Sequence, residues 1–442
     1  MTLVSGTTQG LGFAQPIPAS IIVKEGDPVA GSSVATIGAP YINSHGQVGC
    51  IFTLSDGRHG IWFENQVRFI STEASEGMLS ISGYQMGISD NGAFAYRPLL
   101  NGFDAIWTDH GVTIQEGDPA PGFPDGIQTL LHAQPQMLPD GTAYWIAETT
   151  QFGCLADEVW TIYELLPSGT ISPTLQVDGC DKNVRIDLFH VSDNRLHRID
   201  LRFSVGGGSC TSGRLFVDDT QIRFSDCDSF TTLRINNLGH YAFKTESAGD
   251  LYFDNEFLLR DGDTIPESGH PLFGNLGDFA LNNSNQAAFI WAVEIEGSNI
   301  DTLFVSPNAS LLPGGTYPLL TRGDLIDING DGEADWRIIN LRPISNLPQH
   351  IDLADSGDIA ARVELISLDG ALRRDAIIRI RAPRCNEADL APPDHQLDFS
   401  DVIQFLSSFV AMNPLADFAE PFGVFSFDDV VAFLSAFSAG CP

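Results

Sequence analysis

The segment DINGDGEADW, residues 327 to 336, sets Asp327, Asn329, Asp331, Glu333 and Asp335 on alternate positions around Gly332. Oxygen ligands at that spacing let one loop fold around a hard cation, and the glycine permits the sharp turn. The pattern predicts a structural calcium site, completed by a neighbouring group because Ile338 stands where a twelfth-position carboxylate would come. A second acidic set, Asp389, Asp394, Asp398 and Asp401, lies near the C-terminus, with Asp417 and Asp429 in matching places further on. Both of those loops are one residue too long for a calcium loop and carry Ala391 or Ala419 at the third position. They offer fewer oxygen ligands, the second fewer than the first, so calcium is expected first in the 327–335 loop.

Catalytic chemistry finds no comparable pattern. The chain has no GxSxG elbow, HExxH or P-loop. SDGRHGIW, residues 55 to 62, approaches the S-x-D-x-G-x-x-W turn of sialidase-type propellers, but Ser55 directly precedes Asp56 and the segment reads as an ordinary turn before an Ile-Trp strand. GGGS at 206 to 209 reads as a flexible loop, not a phosphate cradle. With 57 Asp and Glu in the chain, some pair of carboxylates faces any pocket by chance, so the sequence nominates no catalytic residue.

A net charge of −34 argues against nucleic acid and anionic membrane surfaces as partners, since both need basic patches. No run of 18 apolar residues exists to span a bilayer as a helix. The opening MTLVSGTTQGLGFAQPIPAS has neither a basic start nor an apolar core, so the expectation is that the sequence given starts after a cleavage site or that its start is placed downstream of the true one.

The elements that must position these residues come from a repeat. NSHGQVGC starts at Asn43, SDNGAFAY at Ser89, LPDGTAYW at Leu138, SDNRLHRI at Ser192, NNLGHYAF at Asn236, NNSNQAAF at Asn282 and ADSGDIAA at Ala354. Each is a polar turn, with Gly at the fourth position in five of the seven, where a positive φ costs a glycine little. An aliphatic residue follows ten to fifteen residues on, paired in six copies with an aromatic: Ile61-Trp62, Ile106-Trp107, Ile162-Tyr163, Leu215-Phe216, Leu251-Tyr252, Leu303-Phe304, and Ile377-Ile378 in the last. Such pairs suit strands. A third run closes on turns such as KEGDPVAG, QEGDPAPG and RDGDTIPESG, and a fourth leads back to the next polar turn. Four short strands repeated seven times predict an all-β fold, a seven-bladed β-propeller of four-stranded blades over residues 19–382, preceded by an N-terminal tail, 1–18. The last copy lacks its EGDP-type strand while residues 19–28 carry one with no turn before it, so this strand is expected to complete the last blade. The repeated turns themselves are read as structural.

NNLGHYAF together with QEGDPAPG resembles the bacterial secreted proteins described as choice-of-anchor, tandem-repeat NxxGxxAF-containing proteins, over about residues 20 to 382. Only NNLGHYAF fits the full pattern, and SDNRLHRI lacks both the Gly and the Ala-Phe. The resemblance implies a propeller-like repeat region on an exported protein and no catalytic residue.

Residues 383–442 form a second unit. ADLAPPDHQLDFSDVIQFLSSF at 388 and ADFAEPFGVFSFDDVVAFLSAF at 416 share eleven of 22 positions, which marks a duplication. Val402, Ile403, Phe405, Leu406 and Phe409, and likewise Val430, Val431, Phe433, Leu434 and Phe437, predict two short amphipathic helices packed face to face as a small all-α domain. Asp401 and Asp429 sit where carboxylates suit a helix N-terminus. Cys385 and Cys441 bracket the pair, and a disulfide there would staple a unit of this size. The arrangement, ending FLSAFSAGCP, is similar to the GC-type dockerin-like domains that end many exported planctomycete proteins, which implies anchoring or sorting through a protein partner. Under the secreted reading Cys154 is expected to pair with Cys180 and Cys210 with Cys227, with Cys50 a free buried thiol, although spacing does not fix connectivity. The expected function is that of an extracellular or cell-surface, non-catalytic binding scaffold, its loops presented to a glycan or protein. The alternative is a propeller carbohydrate-active enzyme, hydrolase or lyase, using channel carboxylates.

Overall fold

A computed structural model describes residues 16–71, 86–100, 102–123, 127–150, 158–178, 184–204, 212–225, 230–245, 248–266, 268–295, 297–341, 349–381, 388–391, 397–412, 416, 418–419 and 424–439. The chain forms an all-β propeller arrangement followed by two helices. Among the described residues the strands fall into seven sheets. Four of these, over 127–178, 184–225, 230–259 and 272–321, hold four strands in simple sequential order.

The first, second and seventh sheets carry more strands than four. In the first, Ser32–Ile37 and Tyr41–Ile42 both pair with Val48–Leu54, because Pro40 between them has no N–H to give the ladder. In the seventh, Trp336–Asn340 and Ile351–Leu353 both pair with Asp358–Ser367. In the second, Leu99–Leu100 folds back on Phe103–Thr108. The seventh sheet takes its outer strand from the other end of the chain: Ser20–Lys24 runs antiparallel to Arg373–Arg381, Ser20 opposite Arg379 and Lys24 opposite Ala376.

The aliphatic-aromatic pairs have a definite structural place. In the first six sheets the register between the third and fourth strands shifts at that dipeptide, between Ile61/Trp62, Ile106/Trp107, Ile162/Tyr163, Leu215/Phe216, Leu251/Tyr252 and Leu303/Phe304. In the seventh, Ile377 and Ile378 face the same irregularity in Ser20–Lys24. A bulge sharpens the local twist and turns the outer edge aside, which guards it against pairing with another chain.

Sheets bury each other. On Ala287–Ile295, Phe289, Trp291 and Val293 enter one apolar cluster while Ala288 and Ile290 enter the next. The alternation follows from the two-residue period of a strand. Along the seam between the seventh and first sheets, Ile22, Val23, Ala360 and Ile377 pack with Val34, Cys50 and Phe52.

The C-terminal helices are α1 (Phe399–Val410) and α2 (Phe427–Ala439). Phe405 and Phe433 stack with ring centroids 4.1 Å apart at the centre of their cluster. Val402, Phe409, Val430 and Phe437 pack around them. Ile403, Leu406, Val431 and Leu434, expected in the same face, instead stand exposed. With about 100° per residue, Phe405 and its neighbours at −3 and +4 make one stripe, and Phe399, Ile403, Leu406 and Val410 make another that looks outward. Phe427, Val431 and Leu434 repeat that outward stripe on α2.

Candidate binding site in the central channel

The innermost strands of neighbouring sheets stand side by side around a cavity of about 1060 Å³, Tyr41–Ile42 beside both Met86–Ile88 and Ile351–Leu353. Each ends in one copy of the repeated turn, so the turns gather at one mouth of the channel. There they form a belt. The first-position amides Asn43, Asn236 and Asn282 accept two of their own turn's N–H groups on Oδ1. Their Nδ2 groups donate to the first-position carbonyls of the next copies, Ser89, Asn282 and Ala354. One layer out, the backbone N–H groups of Ser44, Asn237 and Asn283 donate to Asp90, Asn283 and Asp355 at 2.8 to 3.0 Å. The fourth position is left-handed in every copy, including Arg195 (φ 61°) and Asn285 (φ 63°), which stand where the others have glycine.

The departures from the repeat are compensated where the belt would break. Pro139 has no N–H to donate, and at that junction the Arg195 side chain bonds back to Asp140 and Thr142. The fourth copy also has one residue more, since Ser192 N–H reaches His197 O where Asn236 N–H reaches His240 O. Its aromatic position therefore falls to Asp200, fully buried and held by Arg198 and Arg202, whose guanidinium lies 3.9 Å from the Phe216 ring centroid.

The channel carboxylates differ in how far they are engaged. Asp278 accepts three backbone N–H groups, those of Phe279, His350 and Ile351. Asp352 accepts those of Ile42 and Leu353, Asp355 the N–H and Nδ2 of Asn283, and Asp90 the N–H and Oγ of Ser44. Asp193 alone among these takes a single hydrogen bond, from Asn283 Nδ2 at 2.6 Å, among the described residues. Burial, with Asp355, Asp90 and Asp352 nearby, pushes its carboxyl up to about 6. Burial also raises Asp352 to about 6, against the pull of Arg234 and its N–H donors. His190 is pushed down to about 3 by burial and Arg234, so its ring is neutral at physiological pH. Among the described lining residues, Tyr41 and Phe189 supply the only phenyl rings.

The sequence-nominated sites lie elsewhere. The 327–335 loop joins Leu325–Asp327 to Trp336–Asn340. Its side chains bond its own backbone: Asp327 accepts the N–H groups of Asn329, Gly330 and Gly332, Asn329 that of Asp331, Asp331 that of Glu333, and Asp335 that of Ile328. Asp401 and Asp429 are fully buried and each accepts three N–H groups, of Leu390, Ala391 and Asp398 and of Phe418, Ala419 and Ser426. Asp398 caps α1 through Ser400 N–H, Asp389 is buried, and Asp394 and Asp417 lie outside the described residues. No group of three or more His, Cys, Asp or Glu side chains converges to hold a metal among the described residues. Cys154, Cys180, Cys210, Cys227, Cys385 and Cys441 also lie outside them, while Cys50 is a buried free thiol. Asp56 pairs with Arg58 in an exposed hairpin turn.

No protein-family model matches the chain, and no curated protein matches it. Among solved structures it is similar to virginiamycin B lyase from Staphylococcus aureus, at 9% identity and a TM-score of 0.34 over 78% of this chain and 95% of that one. It is similar to BBS1N in complex with ARL6DN, at 12% identity and 0.37 over 83% and 98%. It is also similar to prolyl oligopeptidase B from Galerina marginata, at 9% identity and 0.41 over 76% and 49%. Likenesses this distant carry no functional argument. The belt was foreshadowed by the repeat. Asp193 and Arg234 were not singled out by any motif; the one available signal was that Pro139 precedes Asp193 in the repeat.

Proposed function

We propose that this is an exported, non-catalytic binding scaffold, its seven sheets the blades of one closed ring that presents loops to a glycan or protein ligand. The observation that carries this reading is how the channel carboxylates are used. Asp90, Asp278, Asp352 and Asp355 each hold two or more donors, most of them backbone N–H groups of neighbouring sheets, so they act as ties between blades. A glycosidase needs two carboxyl groups free to trade protons across a sugar, usually beside an aromatic floor. Among the described aspartates at the turn end of the channel, Asp90, Asp193, Asp278, Asp352 and Asp355, only Asp193 has that freedom.

The C-terminal pair is assigned to anchoring through a protein partner, as a dockerin-like module. Two features support this: the duplicated outward apolar stripes, and the absence of Lys and Arg after Arg384 beside many acids. Calcium is assigned to the 327–335 loop, whose alternate residues carry four carboxylates and Asn329 within nine positions, ahead of the tail, whose loops offer fewer oxygen ligands. Affinity electrophoresis through soluble polysaccharides, run beside a reducing-end assay, tests the main reading. Retardation without released reducing ends is expected. Release of reducing ends that disappears in Asp193→Asn would replace the scaffold with the enzyme.

A further inference from the structure

Two side chains break the structural logic of the repeat, and both face the same cavity. Asp193 occupies the second turn position, whose side chain receives the N–H of the preceding copy at Asp90, Asn283 and Asp355. The preceding copy has Pro139 there, so no N–H arrives and the carboxylate is released to the channel mouth, reaching past the fifth sheet to Asn283 of the sixth. Arg234 is the second departure. It lines the channel and donates to Leu233 O and Gln349 Oε1, yet makes no ion pair among the described residues, in a chain with 57 acidic side chains. Gln349, buried and tied by Nε2 to Pro40 O, holds the guanidinium through its Oε1 at 3.3 Å. Arg234 follows a register shift that includes Thr232 at φ 53°, a conformation rarely imposed on a β-branched residue. Beside it, His190 Nδ1 accepts Ile235 N–H at 3.4 Å, which leaves the proton of the neutral ring on Nε2 as a donor.

We propose that the central channel binds a small zwitterion of the amino-acid or short-peptide class, its ammonium group at Asp193 and its carboxylate at Arg234 and His190. The two ends fit opposite charges. An ammonium at Asp193 relieves the mutual repulsion of Asp193, Asp355 and Asp90, and the planar guanidinium fork of Arg234 matches a carboxylate bidentately. Asp352, which also lines the cavity and whose carboxyl feels Arg234 and in turn raises that of Asp193, adds a negative charge that disfavours a plain anion. This site does not depend on what the tail anchors to.

The test is calorimetric titration of the full chain with glycine, diglycine and triglycine, then with N-acetylated and C-amidated forms of whichever binds best. At least one free peptide is expected to bind, with about a tenfold or greater loss on capping either end. Asp193→Asn is expected to lose the preference for a free amine while keeping the preference for a free carboxylate. Arg234→Lys, which keeps the charge without the fork, should do the reverse. Thermal unfolding of each variant confirms that it is folded. No binding by any of the three at millimolar concentration, or a capped form binding as tightly as its parent, overturns the proposal.

Discussion

Asp193 sets function against stability in a single side chain. Its carboxyl sits at about 6 in the folded chain, above the ordinary 3.8, because burial and three neighbouring carboxylates disfavour the charge. A raised folded value means that this group favours folding at low pH and that the advantage is lost as pH rises through about 6. Asp193→Asn should therefore be more stable than the parent at pH 7.5, by on the order of 2 kcal/mol, with the difference vanishing below about pH 4. Urea denaturation at several pH values checks this, and a variant less stable at pH 7.5 would mean that the Asn283 bond outweighs the repulsion. Asn282 makes the opposite case. It accepts two turn N–H groups and donates to Ala354 O and Gln286 Oε1, all in a buried setting. Asn282→Ala should cost about 2 to 4 kcal/mol, because buried partners are left unsatisfied. The first-position Asn was readable as a turn former, but its second task, bridging to the next copy, was not. That task depends on which turn lies beside it in space, and a repeat gives period without giving adjacency.

At the level of elements, the tail shows how a carboxylate can do locally what a cation does elsewhere. In a calcium loop the closing carboxylate faces the metal. In α1 and α2, Asp401 and Asp429 face three N–H groups each and so draw the loop onto the helix start, where the helix dipole also favours a negative charge. Asp401→Ala should melt the helical pair, read as lost helical circular dichroism, while propeller unfolding stays where it was. Chelation should separate the two units further. Removing calcium should lower the thermal midpoint of the propeller by several degrees and leave the helices intact, and Asp331→Ala should abolish that shift. A midpoint indifferent to calcium would leave the 327–335 loop as a turn held by its own hydrogen bonds. The helices, Asp401 and Asp429 at their starts, and the duplication were legible because apolar spacing and Asp placement are local properties, whereas Asp398, read as a calcium ligand, is the N-cap of α1. The outward stripe was not, since Ile403 and Phe405 have equal hydropathy claims on the core, and only the 4.1 Å stacking of Phe405 on Phe433 decides which of them enters it.

For the whole molecule, the consequential contact is the one between its two ends. In a ring of sheets the outer strand of each is its edge, and here Ser20–Lys24 supplies the bulged outer strand of a sheet whose central strands lie more than 300 residues later, while Ile17–Pro18 pairs parallel to Leu325–Asp327 at its other side. Ile22 and Val23 are buried in the seam with the first sheet, Glu25 N–H bonds Asp375 O, and Asp375 in turn holds the buried Arg362. Removing residues 1–24 would bare Arg373–Arg381, which lacks the bulge of the outer strand, and lose three buried aliphatic side chains, Ile17, Ile22 and Val23, each worth about 1.5 to 3 kcal/mol of burial. The loop-closure entropy of joining such distant segments grows only slowly with length, so the native contact is affordable even across the whole chain. The truncated protein should unfold at lower urea and associate through the bared edge, seen as an increase in mass by light scattering. A synthetic peptide of residues 17–28 added in trans should reverse both effects by refilling the edge. If the truncated chain stays monomeric with an unchanged midpoint, closure by this strand contributes nothing to stability, and the ring must be held by the turn belt and the apolar seams alone.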